Sequence, residues 1–161
     1  MEIPKKLLDF LNAGEVGYQI LHHPEAFTAQ TIAQAEHVKG QYHAKVVMVK
    51  SGGQHMMAVL PADHRVDLEK FEKITGQPVT VESESEFKSL FPECAVGTMP
   101  PFGSLYGLPL YLDKSLSQRD YIVFEAGTHT DAIKLDYSAY ERLAKPQIAE
   151  FAIKARPIKQ E

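Results

Sequence analysis

Residues 45–60 read KVVMVKSGGQHMMAVL, and this stretch does most to decide the fold class. Two apolar runs, at 45–51 and 55–60, flank the dipeptide Gly52-Gly53. Apolar and β-branched side chains suit strands, and two glycines readily adopt the positive φ angles of a tight turn. The stretch therefore predicts an antiparallel β-hairpin.

Helix and strand patterns alternate on both sides of this hairpin. Helices are predicted at 3–13, from 28 to about 38, 67–75, from 83 to about 91, and from 138 to 146. Further strands are predicted at 17–22, 79–81, 94–96, 108–112, 121–125 and 132–135. Ser83 with Glu86, and Ser138 with Glu141, have the spacing of capping boxes. The pattern is typical of a mixed fold, α/β or α+β, with helices packed around a curled central sheet.

Length and composition fit one domain. The chain has 161 residues, of which 44% are hydrophobic, and this is enough for a substantial core. We expect a single domain over residues 1–161 whose polar tail, 155–161, frays. Cys94 is the one cysteine in the sequence, so no disulfide can form within the chain, and this suits a reducing compartment.

Charge and hydropathy restrict the location and the partners. The sequence has neither a signal-peptide pattern nor an apolar run of membrane-spanning length, so we expect a cytoplasmic protein without membrane contact. A net charge of −4, with histidines neutral, argues against a protein that coats nucleic acid along its length. It still allows a protein that grips one end of an RNA.

The segment 96–107, VGTMPPFGSLYG, has an unusual composition. Its three glycines let the backbone approach a ligand closely, and its two prolines stiffen the loop. A rigid loop with exposed amides can hold a phosphate, ribose or carbonyl oxygen. The alternative is an ordinary connection between strands, because such loops are commonly rich in glycine and proline.

Two polar residues could carry chemistry, and each has a plain alternative. Lys45 opens an otherwise apolar strand, so its ammonium group either reaches solvent or points into a cleft. His129 lies between two threonines just after a strand, where it could move a proton, or it is a surface histidine in a turn. The other histidines lack the close spacing of metal ligands, and no motif marks Cys94 as a nucleophile. No metal and no cofactor are expected.

Three segments, taken together, resemble the YbaK/ProX family of editing domains associated with prolyl-tRNA synthetase. Residues 43–49, HAKVVMV, are similar to the family's strand with an Ala-Lys pair. Residues 97–103, GTMPPFG, are similar to its Gly-x-x-x-Pro loop followed by Phe-Gly. Residues 126–130, AGTHT, are similar to the segment that supplies pocket residues after a late strand. The likeness extends from about Val16 to about Pro146.

The resemblance implies a barrel-like mixed sheet surrounded by helices and an enzyme that hydrolyses the ester between an amino acid and the 3′ end of tRNA. Because no synthetase accompanies the domain in this sequence, it implies action in trans. Mischarged tRNA is the expected partner, with an aminoacyl-tRNA synthetase as a second candidate. An aminoacyl ester is already activated, so positioning, an oriented water and oxyanion stabilisation suffice without a strong nucleophile.

The resemblance also assigns roles to residues. Lys45 would hold the terminal adenosine or its phosphate, the backbone from Gly97 to Pro101 would polarise the ester carbonyl, and His129 would contact the amino group or orient water. Candidate substrate contacts are Phe27, Thr28, Tyr42, Val46, Thr98, Met99, Pro100, Phe102, Gly103 and Thr128. A core role is the alternative for Phe27 and Met99. Some members carry Asn or Thr where this chain has Val46, so the amino acid removed stays open.

Three other interpretations compete with a deacylase. A module of the same fold could bind tRNA ends or a synthetase without catalysis. An enzyme could use the same loop on another small ester or amide. An unrelated interaction protein could match the motifs by chance, and it would have no pocket that joins Lys45, Gly97 and His129.

Overall fold

The computed structural model describes residues 2–24 and 39–155, and this part of the chain forms a mixed α+β fold. Its strands are β1 (Tyr18–His22), β2 (Ala44–Ser51), β3 (Gln54–Pro61), β4 (His64–Val66), β5 (Val79–Val81), β6 (Leu110–Asp113), β7 (Tyr121–Glu125), β8 (Asp131–Asp136), β9 (Gln147–Ala149) and β10 (Ala152–Lys154). Its helices are α1 (Lys5–Ala13), α2 (Leu68–Thr75), α3 (Glu84–Phe87) and α4 (Tyr137–Ala144). Short 3₁₀ turns cover Lys88–Leu90, Gly103–Tyr106 and Lys114–Gln118.

The predicted hairpin is confirmed and lies inside the largest sheet. β2 and β3 pair antiparallel from Ala44 opposite Pro61 to Ser51 opposite Gln54. Gly52 and Gly53 have φ angles of +59° and +78°, as a tight turn between these strands requires. The five strands follow the order β5-β2-β3-β6-β9, with parallel pairs β3–β6 and β6–β9. The sheet is therefore mixed.

A second, antiparallel sheet has the order β1-β8-β7, and β4 pairs with β10. The two larger sheets meet where His43 forms an isolated bridge with Val123, and the Val123 N–H donates to the Tyr42 carbonyl at 3.0 Å. The sheets do not close on themselves. The mixed fold with surrounding helices is thus confirmed, while a barrel is too strong a description.

Apolar burial explains how the layers hold together. One core cluster includes Leu7, Leu11, Phe102, Phe124 and Tyr140, so it joins α1 and α4 to the loop after residue 96 and to β7. A second cluster on the other side of the five-stranded sheet includes Leu60, Phe71 and Phe151. The last six residues of β3 are all buried because this strand has a core on each face.

Two helix starts follow their predicted signals. The Asp67 side chain accepts from the N–H groups of Glu69 and Lys70, and α2 ends at Gly76 with φ +73°. Before α3, the Glu86 carboxylate accepts the Ser83 N–H at 3.1 Å, as a capping box requires. This backbone hydrogen bond is the main reason why the pKa of Glu86 is lowered.

Several predictions of local structure were wrong. Residues 94–96 form turns rather than a strand, because the Ala95 N–H donates to the Gly127 carbonyl at the end of another loop. Ser138 does not cap α4, which begins one residue earlier after Asp136, and Glu141 instead accepts the Tyr137 hydroxyl at 3.1 Å. Strands β4, β9 and β10 were missed. Three residues give only a weak period, although β5, of the same length, was predicted at 79–81.

The helix predicted from 28 to 38, together with Phe27 and Thr28, lies outside the described residues. In the described ranges, no helix has the length and apolar character needed to cross a membrane.

Candidate active site

A small cavity lies where the start of β2, the loop after residue 96 and the end of β7 converge. The described residues that line it are His43, Ala44, Lys45, Val46, Gly97, Met99 and Glu125. Larger clefts exist elsewhere, for example one lined by His64, Lys70 and Lys114, but they do not contain Lys45 or Gly97. We take the smaller cavity as the candidate site because it joins two separately predicted segments.

Lys45 reaches this site from the second residue of β2. The strand pairs Lys45 with Leu60, and the lysine Nζ donates to the Ala62 carbonyl at 3.5 Å. Burial of the ammonium group lowers the pKa of Lys45, and the negative charge of Asp63 partly opposes this effect. A partly desolvated cation interacts more strongly with a phosphate or carbonyl oxygen than a cation in water does.

Gly97 is exposed at the cavity, in a backbone conformation that favours glycine. Its φ angle is +83°, and an added Cβ would meet no atom within 4 Å, so conformation rather than space requires glycine here. Two hydrogen bonds close the turn that contains Gly97, since Thr98 donates both its N–H and its hydroxyl to the Ala95 carbonyl, at 3.1 and 2.6 Å. The glycine therefore presents its backbone to the cavity from a rigid turn.

The rest of this loop serves the core. Pro100 and Pro101 are buried, and the Tyr140 hydroxyl donates to the Pro101 carbonyl at 2.8 Å. Phe102 is fully buried, with its ring centroid 5.4 Å from that of Phe124. Gly103 is buried so closely against the Leu108 carbonyl that a Cβ could not fit. None of these four residues, nor buried Thr98, is among the described residues that line the cavity.

The 126–130 loop lies next to the cavity but contributes none of the described residues that line it. The Thr128 hydroxyl donates to Asp131 Oδ2 at 2.6 Å, and His22 Nδ1 lies 2.6 Å from Asp131 Oδ1. Burial alone would raise the pKa of Asp131, but the hydrogen bonds from Thr128 and His22 outweigh it and lower that pKa. His129 is half-buried, and neither His129 nor Thr128 is among the described residues of the cavity wall.

Tyr42 also lies apart from the cavity wall. Its ring stacks on that of Tyr121, with centroids 4.5 Å apart and planes inclined by 15°. Of the predicted residues, the structure therefore brings Lys45, Val46, Gly97 and Met99 into one cavity.

Sequence reasoning missed the acidic side of this cavity. Glu125, at the end of β7, is only 5% exposed and lies between two buried imidazoles. Its Oε2 is 3.2 Å from His23 Nε2, and its Oε1 is 3.5 Å from His43 Nε2. A carboxylate at the end of an otherwise apolar strand, and a histidine two residues before Lys45, were readable signals. The contact between this carboxylate and this histidine could not be predicted, because it depends on the bridge between the two sheets.

The site thus combines a cation, a buried carboxylate with imidazole partners, and a glycine backbone. The described lining includes no serine, threonine or cysteine. Cys94 is buried, and burial raises the pKa of its thiol, so it stays protonated and unreactive. No group of three or more potential metal ligands occurs in the part of the chain that the structure describes. This arrangement suits hydrolysis of an activated ester by a bound water.

Comparison with known proteins agrees with this chemistry. Over 153 residues, the chain is 27% identical to the multifunctional Ser/Thr-tRNA deacylase ProXp-y of Escherichia coli strain K12, covering 91% of each chain. A solved structure described as a "putative trans-editing enzyme for prolyl tRNA synthetase" superposes with a TM-score of 0.80 at 22% identity, covering 94% of this chain and 96% of that one. The crystal structure of a hypothetical protein superposes with a TM-score of 0.83 at 18% identity, covering 92% and 100%. These two structures support the fold.

The family model described as the aminoacyl-tRNA editing domain matches residues 23–143, a range that contains every described residue of the cavity wall. A chance match of three motifs cannot account for agreement of this extent. The chain therefore belongs to the aminoacyl-tRNA editing domain family.

Proposed function

We propose that this protein acts in trans to hydrolyse the ester between an amino acid and the 3′ end of a mischarged tRNA, at the Lys45 cavity. One observation carries the proposal: Lys45 and Gly97, from segments that are far apart in the sequence, line the same cavity. The family supplies the reaction class, and the cavity supplies a place for it. Because the proposed substrate is aminoacylated tRNA, we also propose that the protein acts in the cytoplasm.

Lys45 holds the oxygens of the terminal nucleotide, and the Gly97 backbone holds the ester carbonyl. A lysine binds phosphate or ribose oxygens as a point charge, which tolerates small differences in geometry. Donors that are already in place stabilise the oxyanion without reorganisation, and the rigid turn at Gly97 meets this condition. Both groups act on the part of the substrate that every charged tRNA shares.

Glu125 and His43 activate the water. The water oxygen attacks the ester carbonyl carbon while its proton passes to the Glu125 carboxylate, giving a tetrahedral oxyanion. The carbonyl then re-forms as the bond from that carbon to the ribose oxygen breaks, and the proton passes from Glu125 to this ribose oxygen, which becomes a hydroxyl. The free amino acid and the tRNA leave. Glu125 takes this role rather than His129, because the described cavity wall includes Glu125 and His43.

The wall of the cavity offers both apolar and polar contacts to an amino acid. Val46 and Met99 provide apolar wall, and Glu125 with His43 provides polar wall that could contact a hydroxyl or ammonium group. The relative named a Ser/Thr-tRNA deacylase makes serine and threonine the first amino acids to test, followed by alanine and cysteine.

Release of amino acids from a panel of mischarged tRNAs tests the proposal. Wild-type protein should release at least one small amino acid, and Lys45→Ala should lose most of that activity. Lys50→Ala is the matched control, since Lys50 lies on the same strand and pairs with Glu86 at 3.7 Å. Simple amino-acid esters serve as a second panel.

Absence of release across the tRNA panel, with a folded protein that still binds tRNA, would favour the binding module over the deacylase. Equal activity on simple esters and on charged tRNA would favour a more general esterase.

A further inference from the structure

Four half-buried side chains form a column of alternating charge and aromatic ring at the surface. Arg119 lies over the Tyr42 ring, with its Cζ 5.5 Å from the ring centroid. Tyr42 stacks on Tyr121 with centroids 4.5 Å apart, and Lys134 Nζ lies 4.3 Å from the Tyr121 centroid. We call this set of four residues the Arg119–Lys134 column.

The two cations of the column lack acidic partners within the described residues. Neither Arg119 nor Lys134 has a described carboxylate within 4.0 Å, whereas Lys6 and Lys50 each pair with a glutamate. Arg119 Nε is buried, and no described residue accepts its hydrogen bond. Asp120, the adjacent acid in the sequence, accepts the Tyr121 N–H at 3.1 Å. On a chain whose net charge is −4, this is a local surplus of positive charge.

Through Tyr121 and Lys134, the column shares a face of the second sheet with Glu125, which lines the Lys45 cavity. Side chains alternate along a strand, so Tyr121 and Glu125 lie on one face of β7, about 13 Å apart at about 3.3 Å per residue. Lys134 pairs with Val123, which shares that face. Tyr42 precedes Lys45 by three residues. Nucleotides in a helical strand advance by about 3.4 Å, so a few of them span the gap from cavity to column.

We propose that the Arg119–Lys134 column binds the single-stranded nucleotides that precede the terminal adenosine of tRNA. This inference rests on the proposed function, because the terminal nucleotide must occupy the Lys45 cavity for its neighbours to reach the column. Arg119 and Lys134 neutralise phosphates. The two tyrosine rings hold these cations in place, since each ring has one face against the other ring and one face against a cation. Phosphate contacts carry little sequence preference, as a protein that meets different tRNAs requires.

Affinity for uncharged tRNA, measured as Kd across a salt series, tests the column independently of hydrolysis. Loss of one phosphate contact should weaken binding roughly fivefold at 0.1 M salt and reduce the salt slope by about 0.7. Arg119→Gln and Lys134→Gln should each show this effect, and together they should weaken binding by roughly 25-fold. Arg119→Lys keeps the charge and should retain most of the salt slope. Lys73→Gln on α2 is the control, expected to bind like wild type.

A second comparison uses tRNA that lacks its single-stranded 3′ nucleotides. Wild type should bind this RNA more weakly than intact tRNA, and the double variant should show little difference between the two. If the double variant binds intact tRNA as tightly as wild type while wild type releases amino acids, the column proposal is wrong and the proposed function stands. If folded wild type neither binds tRNA nor releases amino acids, both proposals fail. Thermal unfolding of each variant identifies any loss of fold.

Discussion

Lys45 and Lys50 occupy the same strand, five residues apart, yet their surroundings differ. Lys50 lies near the hairpin turn and pairs with Glu86 at 3.7 Å, and each side chain is more than one third exposed. Lys45 lies at the other end of β2, where burial lowers its pKa and no described carboxylate comes within ion-pair distance. Residue type and strand position do not distinguish these two lysines. Lys45 is the candidate for a functional role because it is partly buried and lines a cavity.

Two buried carboxylates, each next to a histidine, differ in the same way: one lies near the hairpin turn and the other lines the cavity. Glu82 lies 2.6 Å from His55 near the hairpin turn, away from the Lys45 cavity. Glu125 lies between His23 and His43 in the wall of that cavity. The two ends of the hairpin thus carry comparable pairs of polar groups, and the pair at the Glu125 end lines the Lys45 cavity. Matched variants at the two ends test whether this difference decides activity.

The largest expected effect comes from Glu125→Gln. Loss of the group that accepts the water proton should lower the deacylation rate roughly 10²- to 10⁴-fold. Glu82→Gln should instead lower the free energy of unfolding by about 1–3 kcal/mol, since it weakens a buried pair, with the rate nearly unchanged. Single-turnover release and chemical denaturation measure the two effects. Equal rate losses in both variants would show that Glu125 acts through stability.

Next comes Lys45→Met, which keeps the aliphatic stem and removes the charge. We expect kcat/KM to fall on the order of 10²-fold, as for loss of one electrostatic contact in an active site. Lys50→Met removes an exposed ion pair worth about 0–1 kcal/mol and should leave kcat/KM within about twofold of wild type. Steady-state deacylation of one charged tRNA gives both values. A similar loss in the two variants would remove the distinction between the ends of β2.

Gly97→Ala and Gly53→Ala form a pair matched in conformation. Both glycines have positive φ angles, +83° and +78°, and both have open space around an added Cβ. Each substitution should therefore cost about 1–2 kcal/mol of folding stability through backbone strain. Gly97→Ala should also slow deacylation by about tenfold, because any shift of this turn moves the backbone that faces the ester. If the two variants keep equal activity, the Gly97 backbone does not contact the ester.

The smallest effect concerns pH. Because burial lowers the pKa of Lys45, its cationic form is lost on the alkaline side at a pH below the usual 10.5. Between the pKa of Lys45 in the folded protein and 10.5, the unfolded chain binds more protons than the folded one. In this pH range the group therefore makes folding stability rise with pH. Deacylation should decline there, after subtraction of uncatalysed ester hydrolysis. Lys45→Arg, which stays charged, should shift the decline upward, and an unshifted profile would assign it to another group.

The sequence predicted the hairpin and the approximate bounds of α2, β7 and β8 because their patterns are local. Lys45 and Gly97 could be singled out because glycine-rich loops and polar strand ends are local features too. Phe102 and Gly103 show the limit of a motif: they share a segment with Gly97 but pack in the core. The pairing of Glu125 with His23 and His43 could not be predicted, since it depends on how two sheets meet.

A crystal structure of the protein with an adenosine that carries serine through a stable 3′-amide, in place of the ester, shows whether the Lys45 cavity binds the aminoacyl end of tRNA. We predict that the amide carbonyl lies within hydrogen-bond distance of the Gly97 backbone, with the seryl group beside Glu125 and the Lys45 Nζ against oxygens of the nucleoside. The analogue bound in another cleft, such as that lined by His64, Lys70 and Lys114, with the Lys45 cavity empty, would contradict it.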